Sequence, residues 1–154
     1  MVKEGERAPD FSLPDDRGAV RRLAEFTGEK KVVLFFYPRA ETPGCTKEAT
    51  AFRDAAARLK KLGAIAVGVS PDPVQKLARF RERHGLNMTL LSDAGKEAAR
   101  TYGVYKEKKM YGKTVMGVER TTFIIGKDGL VEKVFPKVKV AGHIDEVLGA
   151  LARR

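Results

Sequence analysis

A chain of 154 residues with 43% hydrophobic and 32% charged side chains is long enough to bury an apolar core and too apolar to stay disordered, so one domain over residues 1–154 is expected. No apolar run approaches the roughly 20 residues that cross a bilayer, and Met1-Val2-Lys3-Glu4-Gly5-Glu6 lacks the apolar segment of a secretory leader; a cytoplasmic protein with no membrane partner is expected. The net charge of +10 is spread over basic pairs along the whole chain (Arg21-Arg22, Lys30-Lys31, Lys60-Lys61, Lys108-Lys109, Arg153-Arg154) among 20 acidic residues, the pattern of a mixed solvated surface rather than a nucleic-acid footprint.

Phe11-Ser12-Leu13 and Ala19-Val20-Arg21 flank Pro14-Asp15-Asp16-Arg17-Gly18, which predicts an N-terminal hairpin. Val32-Val33-Leu34-Phe35-Phe36-Tyr37 is continuously β-branched, aliphatic or aromatic, as a central strand buried on both faces must be, and Pro38 stops it. From Cys45 the apolar positions Cys45, Ala49, Phe52, Ala56 and Leu59 step by four and three down one face of a helix that runs to Gly63. Ile65 to Val69 predicts a second strand. Pro73 opens another helix, with Val74, Leu77 and Ala78 as its apolar face. Met88 to Leu91 reads as a short strand and Lys96 to Tyr102 as a short helix. Thr121 to Ile125 and Val131 to Phe135 are strands joined by Lys127-Asp128-Gly129, a hairpin signal, and Ile144, Val147, Leu148 and Leu151 stripe the last helix. Alternation of strand and helix followed by a hairpin and a helix predicts an α/β fold, a mixed sheet with helices on both faces.

One cysteine excludes an internal disulfide and every zinc site that needs several thiolates. The two histidines, His84 and His143, are isolated from each other and read as surface or helix-end residues, so neither a metal nor another cofactor is expected. Asn87 and Gln75 are the only side-chain amides, while Glu, Lys and Arg abound, a bias associated with proteins that work at high temperature.

The chemistry concentrates at Tyr37-Pro38-Arg39-Ala40-Glu41-Thr42-Pro43-Gly44-Cys45-Thr46, between the buried strand and the striped helix. Thr42 is a preferred N-cap residue and Pro43 suits the first helical position, where its missing N–H costs nothing. Cys45 then occupies the third helical position, with an unpaired backbone N–H and the positive end of the helix dipole at its sulfur, both of which favour thiolate. A lone cysteine on an apolar stripe reads by itself as a small core residue; the Thr-Pro-Gly run in front of it reverses that reading. Gly44 removes a side chain beside the sulfur, which would let a small substrate approach the backbone donors.

The whole run resembles the active-site segment of the peroxiredoxins, in their bacterioferritin-comigratory or Q-type branch. The family's Pro-x-x-x-Thr-x-x-Cys is met by Pro38, Thr42 and Cys45, and the branch's Thr-Pro-Gly-Cys-Thr-x-Glu-Ala by Thr42 to Ala49. The likeness continues through Phe52-Arg53-Asp54, Leu90-Leu91-Ser92-Asp93, Tyr111-Gly112-Lys113 and Gly117 to Phe123. It implies a thioredoxin-like fold with an N-terminal hairpin, and a thiol peroxidase acting on hydrogen peroxide and organic hydroperoxides. It also implies residue roles. Cys45 attacks the peroxide, Thr42 and the Cys45 N–H hold the peroxide oxygens, and an arginine from a later strand, mapped onto Arg120, stabilises the developing charge. Pro38 shields the sulfur. Glu48 orients the arginine region, or is simply an acidic residue favoured in a first helical turn.

The sequence departs from many members of the branch at Thr50, where they carry a resolving cysteine. Without it the oxidised sulfur must be reduced by an external thiol such as thioredoxin, glutaredoxin or a small thiol, and the protein is expected as a monomer or weak homodimer. A Cys-x-x-Cys reductase is disfavoured because Thr42 stands where its first cysteine would be. The competing reading is a non-catalytic module, a binder or chaperone that uses the same fold and a basic surface.

Overall fold

Val32 to Phe36 are all buried, as a strand sandwiched between two apolar layers requires. The computed structural model describes residues 1–153; Arg154, the second member of the last basic pair, lies outside them. The chain begins with β1 (Ser12–Pro14), β2 (Val20–Arg22) and a 3-10 turn (Leu23–Glu25), then β3 (Lys31–Phe36), α1 (Pro43–Asp54), α2 (Ala56–Lys61) and β4 (Ala64–Ser70). It continues through α3 (Val74–His84), β5 (Thr89–Ser92), α4 (Glu97–Tyr102), β6 (Tyr105–Met110), β7 (Lys113–Val118), β8 (Thr121–Ile125), β9 (Val131–Phe135) and α5 (His143–Ala152).

Five strands form one mixed sheet in the order β5-β4-β3-β8-β9. β3 is central, parallel to β4 and antiparallel to β8. The two-residue period of β3 divides the core. Val33 and Phe35 point into a layer built by α1, α2, α3 and α5, where Phe35 stacks on Phe52 with ring centroids 4.3 Å apart. Val32, Leu34 and Phe36 point into a second layer under α4 and the N-terminal segment, with Phe11, Leu13, Tyr102 and Phe123. The expected α/β architecture, a mixed sheet with helices on both faces, is therefore observed.

Two elements differ from the sequence expectation. The helix starting near Cys45 is not continuous to Gly63: it breaks at Ala55, whose backbone leaves the helical region (φ −89°, ψ 0°). The break shifts the stripe, so that Ala55, and not Ala56, is the fully buried residue. The second difference is the β6–β7 hairpin, for which the sequence pattern predicts no strand. Its register runs from Tyr105 opposite Val118 to Met110 opposite Lys113, and it turns at Tyr111 and Gly112, both with positive φ (52° and 76°), as a two-residue hairpin loop demands. The hairpin forms its own two-stranded sheet, and three lysines in β6 remove the alternation of apolar residues by which strands are recognised.

Candidate active site

The end of β3 and the first turn of α1 face each other across the loop 37–42. Glu41 in this loop has a left-handed backbone (φ 71°), unusual for a residue with a side chain. Two bonds from α3 and its preceding loop hold the segment there: Asp72 accepts from the Ala40 N–H at 2.7 Å, and the Glu41 carboxylate lies 3.1 Å from Arg83. Asp72 is itself buried and accepts from Ser70 Oγ at 2.8 Å. The sequence motifs did not single out Asp72, because its role depends on a contact 32 residues distant.

Pro43 takes the first helical position and Cys45 the third, as expected. Thr42 sits at the N-cap with an extended backbone (φ −79°, ψ 152°), but its hydroxyl makes no cap bond. It donates backwards instead, to the Arg39 carbonyl at 2.8 Å. The expected side-chain cap is therefore absent: the hydroxyl is engaged with the loop and accepts from no N–H of the first helical turn. Thr42→Val should therefore cost the stability of one ordinary hydrogen bond, roughly 0.5–1.5 kcal/mol, with Thr42→Ser close to wild type in a thermal melt. A larger fall in peroxide rate than in stability for the valine variant would mark the hydroxyl as part of the chemistry.

Cys45 is 1% exposed. Arg120, in the corner between β7 and β8, places Nη2 3.4 Å from its sulfur and Nη1 2.7 Å from Glu48 Oε1. The guanidinium thus bridges a thiol and a carboxylate that stand one helical turn apart, in the geometry that Arg forms best. Burial opposes the charge on Arg120, but Glu48 and Cys45 outweigh burial and hold its pKa above the ordinary value. Burial pushes the Glu48 carboxyl up to about 7, with Arg120 pulling it back down. A Cβ on Gly44 would come within 3.2 Å of Arg120 Nη2. The space that glycine frees beside the sulfur is thus occupied by the guanidinium, not left open for a substrate. Pro38 is half-buried two residues past the end of β3. Cys45, Glu48, Gly44 and Arg120 are therefore brought into contact, while Thr42 and Pro38 line the adjoining loop.

His84 ends α3 and His143 begins α5, so both are helix-end residues. His143 is nevertheless buried, its ring 2.8 Å from Thr122 Oγ1 and 3.3 Å from Glu146; burial lowers its pKa, with Glu146 opposing.

Residues 5–134 match the AhpC/TSA family. A putative peroxiredoxin bcp of Coxiella burnetii is 45% identical over 150 residues, 97% of this chain and 99% of that protein. Among solved structures, a peroxidoxin BcpB from Mycobacterium tuberculosis superposes with a TM-score of 0.89 at 43% identity, over 99% of this chain and 98% of that one. The bacterioferritin comigratory protein of Xanthomonas campestris superposes with a TM-score of 0.90 at 37% identity, over 98% of both chains. A family match across most of the length, relatives of this identity over nearly the whole chain, and a thiol held against an arginine at a helix N-terminus converge, and the chain belongs to the AhpC/TSA family, in its Bcp/PrxQ peroxiredoxin branch.

Proposed function

We propose that Cys45 is the peroxidatic residue of a one-cysteine enzyme of this branch, regenerated by a thiol from outside the chain. The observation that carries the reading is the Arg120 guanidinium spanning Cys45 Sγ and the buried Glu48. In the reaction the Cys45 thiolate attacks the near oxygen of the hydroperoxide. The S–O bond forms as the O–O bond breaks, leaving sulfenic acid and an alkoxide or hydroxide that takes up a proton. Arg120 stabilises the thiolate and the charge on the leaving oxygen, a fixed donor acting where charge develops. Thr42 and the Cys45 N–H hold the peroxide, Pro38 keeps bulk water off the sulfur, Gly44 makes room for the guanidinium, and Glu48 orients it. One external thiol then condenses with the sulfenic acid, releasing water and forming a mixed disulfide, and a second thiol frees Cys45.

The Xanthomonas campestris relative is described as having alkyl peroxide reduction activity, which supports organic hydroperoxides as substrates here alongside hydrogen peroxide. The two core layers share one sheet, which supports a single domain over residues 1–154. No described helix is long and apolar enough to cross a membrane; a cytoplasmic monomer or weak homodimer completes the proposal. The test is peroxide consumption by the wild-type protein with a dithiol as reductant. Turnover supports the reading, and its absence would favour a non-catalytic module.

Cys45 is the single cysteine, so no second thiol in the chain can trap the sulfenic acid. Peroxide supplied without reductant should therefore carry Cys45 on to sulfinic and sulfonic acid, which thiols do not reverse. Intact-protein mass spectrometry should show two or three added oxygens, with activity falling in step. Thr50→Cys should divert the intermediate into a disulfide, provided α1 unwinds. A wild-type protein that halts at one added oxygen under excess peroxide would require a site that protects its intermediate.

A further inference from the structure

The corner that carries Arg120 is tied down from several sides, and two of the ties are lysines of the unexpected hairpin. The Glu119 N–H donates to the Val104 carbonyl at 2.8 Å, and Lys106 Nζ lies 2.9 Å from Glu119 Oε2. Thr121 Oγ1 donates to the Glu119 carbonyl at 3.0 Å, and the Val138 N–H to the Arg120 carbonyl at 2.9 Å. The remaining tie is Lys108, whose ammonium donates to the Val118 carbonyl.

Lys108 does not behave as its neighbours do. Lys109 and Lys113 are exposed, as surface lysines ordinarily are. The Lys108 stem instead lies across β7 over Gly117, where a Cβ would come within 3.3 Å of its Cδ. A residue larger than glycine at position 117 would push this side chain aside. Among the described residues no carboxylate lies within ion-pair distance of Lys108. The charged groups it interacts with are Arg120, Cys45 and Glu119; burial is the main influence lowering its pKa, Arg120 adds to that, and Cys45 and Glu119 oppose it.

We propose that Lys108 is a positioning residue for peroxide reduction: it anchors the Val118 carbonyl and so sets the corner from which Arg120 reaches Cys45. Its effect on chemistry passes through Arg120, and it needs no contact with the substrate. The proposal rests on Cys45 being the reacting thiol.

The test compares Lys108→Met, which keeps the length of the stem and removes the charge and donors, with Lys108→Arg, which keeps both. Two rates are followed: alkylation of Cys45 by iodoacetamide across pH, and single-turnover oxidation by hydrogen peroxide. Lys108→Met should move the alkylation midpoint to higher pH and slow oxidation roughly 3- to 10-fold, and Lys108→Arg should recover most of both. Thermal midpoints should stay within a few degrees of wild type. Alkylation and oxidation curves of Lys108→Met that coincide with wild type would overturn the proposal, as would an arginine variant as slow as the methionine one. Should Lys108→Met not fold, Lys108→Leu, which likewise has neither charge nor donor, carries the same comparison. A wild-type protein that does not react with peroxide would instead overturn the assignment of Cys45.

Discussion

Cys45→Ser is expected to bring peroxide turnover down to the background rate of the dithiol alone. A hydroxyl is not ionised near neutral pH and is a far weaker nucleophile than a thiolate, and no other sulfhydryl exists in the chain to replace it. The fold should persist, because the substitution is nearly isosteric and the hydroxyl can accept from Arg120 where the sulfur now does. Circular dichroism melts and a dithiol-coupled peroxide assay read the two effects separately. Turnover by the serine variant at even a tenth of the wild-type rate would mean that the reaction does not run through this thiol.

Arg120→Ala should slow peroxide oxidation by about 10²–10³, the cost of removing a donor aimed at developing charge, and should move the alkylation midpoint of Cys45 upward. It carries a second consequence through Glu48, which is 2% exposed and keeps Oε1 on Arg120 while Oε2 has no hydrogen-bond partner among the described residues. The Glu48 pKa stands at about 7 in the folded protein against 4.5 for an ordinary glutamate. The folded state therefore holds the extra proton, and stability contributed by this group is lost as pH rises from about 4.5 to about 7. Removing Arg120 takes away the influence that opposes burial, so in the alanine variant the same loss should extend to higher pH. Adding Glu48→Gln to Arg120→Ala should restore stability above neutral pH without restoring the peroxide rate. Unchanged oxidation kinetics in Arg120→Ala would remove Arg120 from the reaction; a pH-independent melt would remove Glu48 from this coupling.

Elements whose composition serves a buried position were legible in the chain. β3 is apolar from Val32 to Phe36 because both of its faces are covered, and α5 keeps its stripe because one face packs on the sheet. Pro43 and Gly44 mark the helix start for local steric reasons, and these fix Cys45 at its third position whatever the rest of the chain does. The β6–β7 hairpin escaped because it packs as a separate ribbon, half-exposed, with lysines where a core strand has aliphatics. The break at Ala55 escaped because alanine favours helix and nothing local forbids continuation.

The sequence by itself determined the candidate nucleophile and its first surroundings: one thiol, placed at a helix N-terminus by Thr42-Pro43-Gly44, in a run that resembles one family throughout. Arg120 was reachable only through that resemblance, since 75 residues separate it from Cys45 and no periodicity spans such a gap. Only the tertiary structure decided that Thr42 turns its hydroxyl to Arg39, that Gly44 yields its space to a guanidinium, and that Glu48 is buried against that same group. The physical reason is that burial and charge pairing are properties of what surrounds a side chain, and at this site the surroundings arrive from loop 37–42 and from the corner between β7 and β8, at the end of a hairpin whose own composition gives no sign of where it will fold.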